Sequence, residues 1–134
     1  MIVIDASALT KFVLKEEGWE EVSSHLKAGT VSVDLVVKEV ANAVWKRFRQ
    51  GAVSLEESKI ILQAFKEITE KVVKIEGELN YVDKAVEIAF SRNITIYDSL
   101  YIAMAKMKGL DLLTIDETQA NVAAAESIVA IILK

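Results

Sequence analysis

Met1-Ile2-Val3-Ile4-Asp5 and, near the other end of the chain, Leu112-Leu113-Thr114-Ile115-Asp116 are short apolar runs that each stop at an aspartate. A run that is apolar at nearly every position, rather than at alternate ones, is the pattern of a strand buried on both faces, as in parallel sheets covered by helices. Between and beyond these runs the periodicity turns helical. Ala8, Leu9, Phe12 and Val13 recur at helix spacing over residues 6–15. A second helix is predicted over 19–27, ending at Gly29, and the β-branched segment 30–33 reads as the next strand.

Further along, Asp34 is placed to cap a helix whose apolar face is Leu35, Val36, Val40, Ala43, Val44 and Phe48 and which stops at Gly51. Ser54-Leu55-Glu56-Glu57 fits a capping box, so another helix starts there and runs to about residue 70. Residues 72–75 read as a strand, 78–92 as a helix, 94–96 as a short extended piece, 97–108 as a helix ending at Gly109, 117–126 as a helix and 128–133 as a last strand. Strands alternating with helices imply an α/β fold with a parallel sheet covered on both faces.

At 134 residues, 52% hydrophobic and 27% charged, the chain has the size and composition of one globular domain, spanning 1–134. With no cysteine there is no disulfide framework, no thiolate metal site and no cysteine nucleophile, and one histidine, His25, leaves little for imidazole chemistry. Five isolated glycines exclude GxGxxG and Walker loops, and GxSxG, HExxH and EF-hand spacings are absent. A formal charge of −4 argues against a generally basic nucleic-acid binder, so any such contact has to be local or cation-mediated. The first five residues do not resemble a signal peptide and no segment has the apolar length of a membrane span, so the expected location is the cytoplasm.

What remains is the placement of carboxylates. Three of the six aspartates follow apolar runs: Asp5, Asp116, and Asp98 after Ile94-Thr95-Ile96-Tyr97. Aspartate is a poor strand former and costly to bury, so folding alone does not explain these positions. In a parallel sheet the carboxyl ends of the strands border the ligand crevice, where the three are expected to meet. Glu39 is a fourth candidate, sharing one helix face with Asn42 and Lys46 as a polar stripe that could look into the same crevice. Carboxylates gathered in one pocket raise one another's pKa unless a hard divalent cation compensates them. Mg2+ or Mn2+ with oxygen ligands would do so, and such a pocket suits metal-assisted phosphodiester hydrolysis.

On these residues the chain resembles the PIN domain family, and within it the VapC-like toxin nucleases. The resemblance rests on Val3-Ile4-Asp5-Ala6-Ser7, Leu35-Val36-Val37-Lys38-Glu39-Val40-Ala41-Asn42-Ala43, Ile96-Tyr97-Asp98-Ser99-Leu100-Tyr101-Ile102-Ala103-Met104-Ala105 and Leu113-Thr114-Ile115-Asp116, in the family's order over essentially the whole chain. It implies a three-layer α/β/α sandwich with a central parallel sheet, and a Mg2+- or Mn2+-dependent endoribonuclease acting on RNA. Asp5, Glu39, Asp98 and Asp116 match the family's acidic metal site, and Ser7 and Thr114 its small hydroxyl positions. A homodimer and a small VapB-like antitoxin that covers the site are further implications. Many relatives have a proline before the Glu39 helix where this chain has Ser32-Val33-Asp34, and Glu117 and Asn121 leave a fifth acidic ligand unassigned.

Each position also has a plainer role. Asp5, Asp98 and Asp116 are all placed to cap a following helix, and Glu39 to face water on an amphipathic one. Ser7 and Thr114 either bond the backbone or orient the carboxylates, and Asn42 either holds Glu39 or a phosphate or marks a polar boundary. Lys46, Arg47 and Arg49 form the densest basic cluster, which a helix C-terminus favours anyway, and they are the first place to look for RNA contact. Lys11 and Lys15 are the second. Tyr97 and Tyr101, beside Asp98, suit base stacking or core packing, and the Met104 and Met107 pair suits core or dimer contact. A receiver domain is disfavoured because no lysine ends a late strand, and a haloacid-dehalogenase-type phosphotransferase because Ser7 stands where its second aspartate belongs. A scaffold that binds without cleaving, and a housekeeping RNA-processing nuclease, are the alternatives.

Overall fold

The structure is a computed structural model that describes residues 1–133. Five strands, β1 (Ile2–Ile4), β2 (Thr30–Val33), β3 (Val73–Glu76), β4 (Leu112–Thr114) and β5 (Ala130–Ile132), form one sheet in the order β3-β2-β1-β4-β5. All four pairings are parallel. The helices are α1 (Ala6–Val13), α2 (Trp19–Ala28), α3 (Leu35–Arg49), α4 (Leu55–Lys71), α5 (Val82–Arg92), α6 (Ile96–Lys108) and α7 (Glu117–Ala125).

The strand order explains the layering. The chain steps outward from β1 through β2 to β3, then returns to β4 and β5 on the other side of β1. Because parallel crossovers are right-handed, connections running in opposite directions fall on opposite faces of the sheet. Accordingly α1 to α4 pack on one another, while α6 packs with both α5 and α7. The result is an α/β/α sandwich. Direction reverses between β1 and β4, and at that switch point the carboxyl ends of adjacent strands splay a crevice open.

The core lies on both faces of β1 and β4. Val3, Ile4, Leu112 and Leu113 are fully buried, as the uninterrupted apolar runs require, with Leu9, Val36, Val40, Ile102 and Met104 from the helices packed among them. Ser32 donates to the carbonyl of Ile4 (2.7 Å), and Ser99 to that of Ala85 (2.8 Å), fixing β2 to β1 and α6 to α5. Among the described residues no helix is long and apolar enough to cross a membrane.

Three local expectations need correction. Residues 94–96 are not extended: Asn93, in the left-handed region at φ 56°, ends α5, and two residues later Thr95 caps α6 by accepting from Asp98 N (3.2 Å). That leaves no room for a strand, and Asp98 lies in a helix's first turn rather than at a strand end or as a cap. Residues 78–92 are not one helix, because a 3-10 turn (Glu78–Asn80) precedes α5. Asp34 occupies the N-cap position of α3 but its backbone is already helical (φ −63°, ψ −19°), so its side chain does not fold back over the helix. It accepts instead from Glu78 N (3.1 Å), joining the ends of β2 and β3. The capping box at Ser54 and Glu57 forms with both bonds at 3.0 Å.

Candidate active site

Asp5 leaves β1 and caps α1, and it is 3% exposed. Its Oδ1 accepts from Ala8 N (2.9 Å) and Ser7 Oγ (2.7 Å), and its Oδ2 from Thr114 Oγ1 (2.5 Å). The two hydroxyls lie 3.2 Å apart and also accept backbone amides, Ser7 from Ile115 and Thr114 from Asp116. Ser7 and Thr114 thus each bond the Asp5 carboxylate and a backbone amide after β4. Asp116 follows β4 and caps α7 by accepting from Gln119 N (3.0 Å).

Asp98, half-buried, enters from the first turn of α6, and Glu39, also half-buried, from the second turn of α3. Tyr101, one turn beyond Asp98 and fully buried, donates to Glu39 Oε1 (2.5 Å). The structure thus brings together side chains from three helices and two strand ends that are up to 111 residues apart in the chain.

Electrostatics link all four carboxylates. Burial pushes Asp5 up to about 6, with repulsion from Asp116 adding to it, while the Thr114, Ala8 and Ser7 hydrogen bonds pull it down. Asp98 is raised by burial and then by Asp116, and Glu39 by burial and by Asp98 against the lowering hydrogen bond from Tyr101. The chain of repulsion runs Asp5, Asp116, Asp98, Glu39. Tyr101 is itself driven strongly upward by burial, by its bond to Glu39 and by Asp5 and Asp98, so its hydroxyl keeps its proton.

A cleft of about 610 Å³ opens beside this cluster, lined by Ser7, Thr10, Glu39, Asn42, Lys46, Tyr97 and Ile115 among others. The polar stripe of α3 does look into it. Of the four carboxylates only Glu39 lines the cleft; Asp98 and Asp116 each follow directly on a lining residue, Tyr97 and Ile115.

The cationic candidates separate. Lys46 lines the cleft and Arg49 is exposed at the end of α3, whereas Arg47 is engaged in an ion pair with Glu16. Lys11 is buried, 6% exposed, which corrects its assignment to an RNA-contacting surface: its position on α1 faces inward. Tyr101 belongs to the core, while Tyr97 is exposed on the cleft. Met104 is buried and Met107 exposed. Sequence reasoning passed over Glu16 and Lys38, which also line the cleft, and the contact between Tyr101 and Glu39. Position 38 adjoins Glu39 on the same helix and so carried some signal; the Glu16 contact, made across two elements, carried none.

Among the described residues no three acidic or histidine side chains converge as a ready-made metal cage. The donor set is nonetheless all oxygen, the chain has no cysteine, and its single histidine lies in α2. Carboxylates raised by burial and mutual repulsion, with Glu39 open to the cleft, fit a hard ion such as Mg2+, which binds through few protein ligands and keeps several waters.

The sequence model of the PIN domain matches residues 2–125. This chain belongs to the PIN domain family. Among the relatives of this PIN domain is Ribonuclease VapC3 of Pyrobaculum aerophilum, 31% identical over 122 residues that cover 90% of this chain and 92% of that protein. Exonuclease VapC9 of the same organism is 28% identical over 118 residues, 85% of this chain and 79% of that one. Solved structures of similar fold include PAE2754 from Pyrobaculum aerophilum (TM-score 0.64, 24% identity, covering 90% of this chain and 83% of the other). FitAcB from Neisseria gonorrhoeae is another (TM-score 0.58, 17% identity, 97% and 96%).

Proposed function

We propose that residues 1–134 form one PIN nuclease domain that hydrolyses RNA internally with a divalent metal ion, as the VapC-type toxin of a toxin-antitoxin pair. The observation that carries this is the placement of Asp5 and Asp116 at the carboxyl ends of β1 and β4, on either side of the switch point, beside an open cleft lined by Glu39 and by Tyr97 and Ile115, the residues just before Asp98 and Asp116. The relatives named as a ribonuclease and an exonuclease support nucleic-acid hydrolysis.

In this reading Asp5, Glu39, Asp98 and Asp116 hold Mg2+ or Mn2+. When bound, the ion supplies an activated water and screens the acidic pocket from the scissile phosphate. Ser7 and Thr114 hold the Asp5 carboxylate in place, as their bonds to both of its oxygens indicate. Asn42 and Lys46, on the same cleft wall as Glu39, face the neighbouring backbone phosphates of the RNA, with Arg49 beyond them at the end of α3 and Arg47 held back by Glu16. A homodimer, a VapB-like antitoxin and a cytoplasmic location complete the reading.

The test uses linear and circularised RNA of mixed sequence with Mg2+ or Mn2+, comparing the natural chain with Asp5→Asn. Metal-dependent cleavage of both substrates, lost on substitution, is expected. Digestion of linear RNA alone would establish exonuclease action instead. If both proteins leave every RNA intact yet one binds it, the chain is a binding module of the family and not an enzyme.

A further inference from the structure

Tyr101 is 1% exposed, and an aromatic ring at such a position is explained by packing. Its hydroxyl is not: phenylalanine would fill the same space without a polar atom to satisfy. The hydroxyl crosses from α6 to α3 and donates to Glu39 Oε1 (2.5 Å), 62 positions away in the chain. A bond from a neutral hydroxyl to a carboxylate is short and strong, and it fixes one oxygen of the acceptor while leaving the other to face elsewhere.

The remaining carboxylates of the cluster have local supports. Asp5 is held by Ser7, Thr114 and the Ala8 amide, and Asp116 by the Gln119 amide as a helix cap. Asp98 sits in the first turn of α6, whose start Thr95 caps. Glu39 has a longer, more mobile side chain in the middle of a helix face, where no cap can hold it. Its hydrogen bond comes from Tyr101, three residues beyond Asp98 on α6.

We propose that Tyr101 is the positioning residue for Glu39: its buried hydroxyl locks the carboxylate so that the second oxygen faces the cleft, and makes α6 deliver Asp98 directly and Glu39 through the phenol. This rests on the metal-site reading above and extends it to a residue that touches neither ion nor substrate.

The test is direct Mn2+ binding without RNA, by calorimetry, for the natural chain, Tyr101→Phe, Glu39→Gln and the double variant. Tyr101→Phe is expected to weaken Mn2+ binding about tenfold, the scale of losses when a ligand's hydrogen-bond partner is removed. The double variant is expected to bind no more weakly than Glu39→Gln alone, because Tyr101 acts only through Glu39. Unchanged affinity in Tyr101→Phe, or losses that multiply in the double variant, overturns the positioning role while leaving the metal site standing. Absence of Mn2+ binding by the natural chain overturns the metal reading and this role with it. If Tyr101→Phe does not fold, the hydroxyl proton of Tyr101 is followed by NMR in the natural chain and in Glu39→Gln. A downfield resonance that moves on substitution of Glu39 and on addition of Mg2+ supports the role; a resonance indifferent to both overturns it.

Discussion

Asp5 is a charged group held where water hardly reaches, and two hydroxyls and an amide are what make that bearable. Thr114 serves it twice, donating to Oδ2 and accepting from the Asp116 amide (2.9 Å). Thr114→Val keeps the shape and removes both bonds, so unfolding in urea should show a loss of about 1–3 kcal/mol. Asp5 should then titrate above its present value of about 6 by carboxyl NMR. A variant as stable as the natural chain, with Asp5 unmoved, would mean the hydroxyl supports nothing. At this scale Asp5 and Asp116 were legible because each closes an apolar run, although each also caps the helix that follows. Tyr101 was not, since neither its spacing nor its neighbours announce an acceptor 62 residues away. Nor was the burial of Lys11, because a lysine one helix turn beyond Ser7 reads as a surface group until the neighbouring elements close over it.

At the scale of elements, α3 does two jobs. One face, with Val36, Val40 and Val44, is buried in the core, and the adjoining stripe of Glu39, Asn42 and Lys46 lines the cleft. That division followed from helical periodicity, except that Phe48, expected on the apolar face, is exposed near the end of the helix and Ala43 lines the cleft. Lys46→Ala should therefore weaken RNA binding and lower the salt dependence of the binding constant by about one phosphate contact, measured by fluorescence anisotropy across salt concentrations. Lys11→Ala, on the buried side of α1, should leave that slope unchanged. Equal losses of slope in the two variants would remove the assignment of the cleft wall. The start of α6 was misread because Ile94-Thr95-Ile96 has β-branched residues throughout, and intrinsic preference gave way to the Thr95 cap and to a sheet already filled by five strands. The correction moves Asp98 from a strand end to a helix turn, directly after the cleft-lining Tyr97.

For the whole molecule, the cluster stores a cost that depends on pH. Asp5 titrates near 6 when folded against 3.8 as its ordinary value, so between these values the folded chain binds a proton that the unfolded chain has released. Stability therefore falls as pH rises through this window, by about 3 kcal/mol from Asp5. Glu39 and Asp98 shift in the same direction. Glu76 and Glu126, lowered chiefly by hydrogen bonds from Lys108 and Lys106 respectively, act oppositely and lose their contribution only below about their ordinary value of 4.5. Metal-free protein should thus be most stable near pH 5 and weaker at pH 7.5, by urea unfolding in a chelator. Asp5→Asn should remove most of the decline. Saturating Mg2+ or Mn2+ at pH 7.5 should restore about 2–3 kcal/mol at a hundredfold excess over its dissociation constant, and should do nothing for Asp5→Asn. A stability that climbs steadily from pH 5 to 7.5 without metal would mean that the carboxylates do not strain the fold.

The amino-acid sequence by itself determined the strands that lie in the middle of the sheet, the helices around them and the carboxylates that have no place in a core, because apolar period and residue chemistry are properties of the chain before it folds. It also determined which face of α3 is polar. Only the tertiary structure decided that Tyr101 holds Glu39, that Arg47 is occupied by Glu16, that Lys11 turns inward and that Asp98 rides on a helix. These are contacts between elements far apart along the chain, or burial that those elements impose, and they exist only once the crossovers have set α1, α3 and α6 around the switch point between β1 and β4.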